Sequence, residues 1–161
     1  MTLTTCLAWA GNAHAVRPAP ADKTQAAAID PELRQLVKQA AQETDSFPDR
    51  FDGEVWLADM SRRLSTRVPE TRYRVELLKS VHYEASRAGL SPEVVLSVID
   101  VESNFNQYAI STAGARGLMQ VMPFWLKEIG APGDSLFRLQ TNLRLGCTIL
   151  KYYLDKEKGN L

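Results

Sequence analysis

The feature that most constrains what this chain can fold into is the spacing of its apolar residues. From Asp30 onward they recur every three or four positions, and no stretch alternates with period two for long enough to build a sheet. Asp30-Pro31 supplies an N-cap and a proline at the first helical position, ahead of a stripe of Leu33, Leu36, Val37, Ala40 and Ala41. Phe47-Pro48-Asp49 breaks that stripe. A second helix is expected over Gly53 to Leu64, with Val55, Trp56 and Leu57 as apolar contacts, and Val68-Pro69 ends it. A third is expected over Thr71 to Ala88, with Val75, Leu78, His82 and Ala85 on one side and Gly89 as a left-handed stop. Ser91-Pro92-Glu93 then restarts a helix with an N-cap, an N1 proline and an acid near the positive end of the dipole. A short helix follows Pro123, carrying Phe124, Trp125 and Ile129 and closed by Gly130. The last runs from about Thr141 to Lys156, with Leu143, Ile149, Leu150 and Tyr153. The expected class is all-α, with any strand confined to a very small hairpin.

Length and charge narrow the function. A chain of 161 residues suits one domain with a small appendage and can bury a core without staples. Nineteen basic and nineteen acidic residues cancel, which argues against a strong grip on nucleic acid or an anionic membrane. No run approaches the roughly 18 apolar residues of a transmembrane span. Cys6 and Cys147 are too few for a disulfide scaffold, and with His14 and His82 they form no metal-ligand spacing. No metal or cofactor is therefore expected. Neither the phosphate-loop pattern nor the dinucleotide glycine fingerprint occurs.

At the N-terminus, the apolar stretch Leu3 to Ala10 leads into Ala13-His14-Ala15, a small-x-small pattern of the kind cut by signal peptidase before Val16. The basic region that opens such signals is missing, since no Lys or Arg precedes Arg17. Residues 1–15 are expected to be the remnant of an export signal, which places the protein in the periplasm or cell envelope. Residues 16–29, with the alternating Pro18-Ala19-Pro20-Ala21, read as a linker. Residues 30–70 read as an N-terminal helical segment, and 71–161 as the unit that carries the chemistry.

One acid stands out. On the helix beginning at Ser91, residues Val95, Val98 and Ile99 form the apolar face, and steps of seven, four and three from them all reach Glu102. Asp100 instead aligns with Glu93, Ser97 and Asn104 on the polar face. Glu102 is thus expected to be half-buried at the helix end, where apolar neighbours disfavour a carboxylate and raise its pKa, as a general acid requires. The other reading is a helix end that tips its acid into water. Beyond it, Ser111-Thr112-Ala113-Gly114-Ala115-Arg116-Gly117 is rich in small residues that let backbone amides approach a ligand. It runs into Leu118-Met119-Gln120-Val121-Met122-Pro123, where a polar amide sits between two soft apolar side chains. Such a surface suits an amphipathic ligand such as an N-acetylated sugar.

Taken together, Glu102-Ser103, the run Gly114 to Pro123 and Asn142-Leu143-Arg144-Leu145-Gly146 resemble, in order and separation, the soluble lytic transglycosylase family, which has a goose-lysozyme-like catalytic domain. The likeness covers about Leu77 to the C-terminus. It implies a lysozyme-like helical fold and cleavage of the β-1,4 bond between N-acetylmuramic acid and N-acetylglucosamine in peptidoglycan glycan strands. It also implies that Glu102 is the single catalytic carboxylate. The acid would protonate the leaving oxygen, then take the proton of the muramic C6 hydroxyl as that group closes a 1,6-anhydro ring. Ser111, Gln120 and Met122 would be sugar contacts. One well-placed acid agrees with this chemistry, because an ordinary glycosidase needs two carboxylates about 5–9.5 Å apart, whereas a tethered hydroxyl needs no second acid. The family continues past the Lys158 to Leu161 region into helices carrying an Ala-x-Tyr-Asn motif, so the catalytic domain is expected to be incomplete at its C-terminal side. The alternatives are a muramidase that hydrolyses the same bond, and an inactive glycan-binding remnant of the envelope.

Overall fold

A computed structural model of the chain describes Glu32, Phe47, residues 49–129 and residues 133–157. The expected export signal, the linker, the apolar stripe from Leu33 to Ala41 and Gly130 lie outside the described residues. Among residues 49–157 the described helices are, in order, α1 (Arg50–Leu64), α2 (Thr71–Ala88), α3 (Pro92–Ser103), α4 (Pro123–Ile129) and α5 (Leu139–Lys156). The fold is all-α. Among the described residues no strand forms, and the extended pairing is limited to isolated bridges between Ile110 and Arg116 and between Arg116 and Val121. Nor is any helix among them long and apolar enough to cross a membrane.

Local chemistry sets most helix ends. Asp49 caps α1, its carboxylate accepting from the amides of Phe51 at 2.7 Å and Asp52 at 3.2 Å, which starts that helix three residues before Gly53. Glu70 does the same for α2 through the amides of Arg72 and Tyr73. Gly89 at φ 69° ends α2, with the Leu90 amide donating back to the Ala85 carbonyl. Ser91 stands at the N-cap of α3 without capping it, because its hydroxyl donates to Glu93 instead.

The core is one cluster built around α2, which packs against α1, α3 and α5. Val75, Leu78 and Ala85 are buried on it as the spacing predicts, together with Leu77 and Val81 on the adjoining side. Two expectations fail in a simple way. Val55 lies two residues from the buried Leu57, so it faces away and is exposed; Tyr153, in the last turn of α5, is exposed as well. The bend between α1 and α2 is tied by Arg74. Its buried guanidinium donates to the Ser61 hydroxyl at 2.8 Å and to the carbonyls of Val68 and Pro69 at 2.6 and 2.9 Å.

His82 is half-buried on α2 in an aromatic cluster. Its ring stacks on Phe47 with centroids 3.7 Å apart and meets the edge of Trp56 at 4.9 Å. Burial pushes its pKa below the ordinary value of 6.5, against the smaller opposing pull of the Glu93 charge. The unfolded chain then binds the proton more readily than the native one, so this contribution to stability is present above about pH 6.5 and fades as the solution is acidified. Urea unfolding at pH 7.5 and 5.5 is expected to show a lower midpoint at the acid pH. His82→Gln should narrow the difference between the two midpoints; an unchanged difference contradicts the assignment.

Candidate active site

α3 carries Glu102 near its C-terminal end. The helical register is as the apolar spacing predicts, but the burial is not: Glu102 is exposed. The reason is the turn that follows. The buried stripe of α3 is Val95, Leu96 and Ile99, and one turn beyond it the chain leaves the helix through Asn104 at φ 49° and Phe105 at φ 62°. These two left-handed residues swing the Phe105 ring into the core, where it is 7% exposed, so the core continues through Phe105 and bypasses Glu102. Side-chain residues are rarely held in that conformation. Among the described residues no hydrogen bond or ion pair engages the Glu102 carboxyl.

Beside it, the outer face of α3 forms a shallow, mainly apolar groove of about 430 Å³ lined by Glu93, Val94, Ser97, Val98, Val101 and Glu102. The two acids at its ends differ. The Ser91 hydroxyl and the Trp56 indole both donate to Glu93 and hold its carboxyl below the usual glutamate range. Glu102 is the uncommitted one. Asp100 points to the other side of the helix, as expected, and pairs with Arg67, whose guanidinium also donates to the Asn104 side chain.

The small-residue segment is a compact double turn. Arg116 and Val121 exchange both backbone hydrogen bonds at 3.0 Å, closing a four-residue loop over 117–120. Gly117 at φ 77° and Gln120 at φ 47° make the reversal. The expected sugar contacts are tied up mainly within this loop. The Ser111 hydroxyl accepts from the Ala115 amide at 3.0 Å. The Gln120 side-chain amide donates to the carbonyls of Gly117 at 2.8 Å and Ala109 at 3.3 Å, which leaves its oxygen as the end open to a ligand. Met122 is half-buried. None of the three lines the groove beside Glu102; the structure gathers Ser111 and Gln120 in one loop and sets Glu102 on a neighbouring helix.

Sequence reasoning did not assign the two α5 residues that hold this loop. Asn142, 1% exposed, donates to the carbonyls of Arg116 at 2.9 Å and Leu136 at 2.8 Å and accepts from the Met119 amide at 2.9 Å. Gly146 leaves room for Met119, whose sulfur would lie 2.4 Å from a Cβ at that position. The available signal was an amide on the buried stripe Leu139, Asn142, Leu143, Gly146. A buried Asn needs partners. The next residue, Cys147, is fully buried and its thiol is pushed up to about 12, chiefly by desolvation, so it is a packing residue. The tyrosine pair Tyr152 and Tyr153 is exposed, its rings edge to face at 5.3 Å. Arg116 is exposed and lies 5.9 Å over the Phe137 ring.

The family model of the transglycosylase SLT domain matches residues 79–161, just over half of the sequence. The chain belongs to that family. It is similar to the membrane-bound lytic murein transglycosylase C of Actinobacillus pleuropneumoniae serotype 5b, with 48% identity over 54 residues, 34% of this chain and 14% of that protein. The protein of the same name from Histophilus somni is 38% identical over 88 residues, 49% of this chain and 24% of its own length. The chain therefore spans no more than about a quarter of these curated relatives. Among solved structures, an inactive mutant of lytic transglycosylase Slt from Pseudomonas aeruginosa superposes with a TM-score of 0.46 at 22% identity, over 83% of this chain and 28% of that one.

The tight approach of α5 to the loop gives a direct test. A Cβ at Gly117 would sit 2.3 Å from Asn142 Nδ2 and 2.5 Å from the Leu136 carbonyl oxygen, on a backbone that already disfavours a side chain. Gly117→Ala is expected to destabilise the fold by about 2 kcal/mol or more in urea titration; a change within about 0.5 kcal/mol would mean that the loop is not held as described.

Proposed function

We propose that the chain acts on peptidoglycan as a lytic transglycosylase, with Glu102 as its single acid and then base. The product would be a 1,6-anhydro-muramic end. The observation that carries this reading is the uncommitted Glu102 carboxyl at the rim of an apolar groove, in a chain of the SLT family. In the free protein Glu102 faces water, so the desolvation that an acid catalyst needs has to come from the substrate. A sugar ring laid along Val98 and Val101 would exclude water from the carboxyl. The groove holds no second unengaged acid, since Glu93 is committed to Ser91 and Trp56. This accords with attack by the substrate's own C6 hydroxyl rather than by a water activated by a second carboxylate. Ser111, Gln120 and Met122 are the proposed sugar contacts on the loop side.

The relatives' names describe membrane-bound murein enzymes, and on that ground we place this chain in the cell envelope, with glycan strands as its partner. Exposure of Glu102 favours one competing reading, a glycan-binding protein without lytic activity. Digestion of purified peptidoglycan separates these. Fragments one water lighter than hydrolysis products are expected; ordinary reducing ends would instead identify a muramidase. Glu102→Gln is expected to lower turnover by more than about 100-fold while oligosaccharide binding persists. A wild-type chain that binds glycan and lyses none would overturn the catalytic reading.

A further inference from the structure

Asn142 does more than fill a place in the core. A buried side-chain amide offers two donors and one strong acceptor group, and here all three interactions are made, to three separate backbone groups: Arg116 and Leu136 accept, and Met119 donates. The first and last of these flank Gly117, whose missing Cβ is what admits the Asn142 amide. The same turn of α5 presents Gly146 to Met119. Residues 116–119 are thus gripped from one side by a single helix, and Gln120 is the next residue along, held at a left-handed φ of 47°. Arg116 is also one half of the backbone pair with Val121 that closes the loop.

We propose that Asn142 is the positioning residue of the site: its three hydrogen bonds fix the Arg116–Val121 turn and thereby the direction in which the Gln120 carbonyl meets an N-acetylated glycan. The part concerning glycan rests on the functional reading above. The test uses the full chain, with the tetramer of N-acetylglucosamine as probe and amide hydrogen exchange as a second readout. Asn142→Leu keeps the branched four-atom side chain and removes all three bonds. It is expected to release the Met119 amide to exchange and to weaken tetramer binding by at least tenfold. Leu57→Ala, a core truncation in α1, serves as control; it lowers stability yet should leave affinity within twofold of wild type. Should Asn142→Leu fail to fold, Gly146→Ala pushes Met119 from the same face of α5 and is expected to weaken binding in the same sense; affinity within twofold of wild type in that variant overturns the inference.

Tetramer affinity within twofold of wild type in a folded Asn142→Leu chain overturns the inference and leaves the functional reading intact. So does a Met119 amide that stays protected. If Leu57→Ala weakens binding as much as Asn142→Leu, the effect is general loss of stability and positioning is refuted. A wild-type chain that binds no tetramer overturns the functional reading, and the role of Asn142 toward glycan falls with it.

Discussion

The burial of α2 between α1, α3 and α5 is the constraint from which the rest of this structure follows. Leu77, Leu78, Val81 and Ala85 are wholly removed from solvent, and each buried Leu or Val side chain contributes about 1.5–3 kcal/mol relative to exposure. That geometry drags polar groups inside at both ends of α2, and the structure satisfies them. Arg74 turns back on the α1–α2 bend. Glu84, 2% exposed, sits between Arg87 at 2.5 Å and Arg144 at 3.2 Å. A carboxylate so placed would be costly without cations, so the pair with Arg144 ties the register of α5 to that of α2. Once α5 is set, Asn142 and Gly146 stand where the 116–121 turn must meet them.

Glu84 and Glu102 make an instructive contrast. Glu84 is buried and fully committed, which is what structural acids look like. Glu102 is open, unpaired and set at the end of an apolar helix face, next to a backbone held in two consecutive left-handed residues. A side chain left without partners beside apolar surface can change its environment when something covers it; one locked between two arginines cannot. Such freedom suits a candidate acid, and the rigidity lies elsewhere, in the 116–121 loop, which is held by its own backbone pair, by the Gln120 side chain and by Asn142 of α5.

Helix positions were legible because their signals are local. Gly89 ends α2 at a left-handed φ, Pro92 opens α3, and Pro123 opens α4, all where the residues alone place them. The Asp49 cap was within reach too, since an Asp ahead of a helical run is a start signal; its place in a Phe-Pro-Asp break concealed it. The candidate site was legible as a set of residue types in order: a lone acid, a small-residue loop, an amide between methionines. The division of labour within it was not. Ser111 and Gln120 make their observed bonds inside the loop, and that depends on a reversal whose geometry no spacing rule specifies.

The residues by themselves determined the helical class, several of the helix ends and the line of α3 on which Glu102 falls, because those depend on interactions between neighbours in sequence. Tertiary structure alone decided that Glu102 stays in water and that Asn142 clasps the loop. The first depends on whether Phe105, three residues beyond, turns into the core in its place; the second joins residues up to 26 positions apart. Burial and long-range hydrogen bonding are properties of the packed chain, and local sequence carries the pieces without their distances.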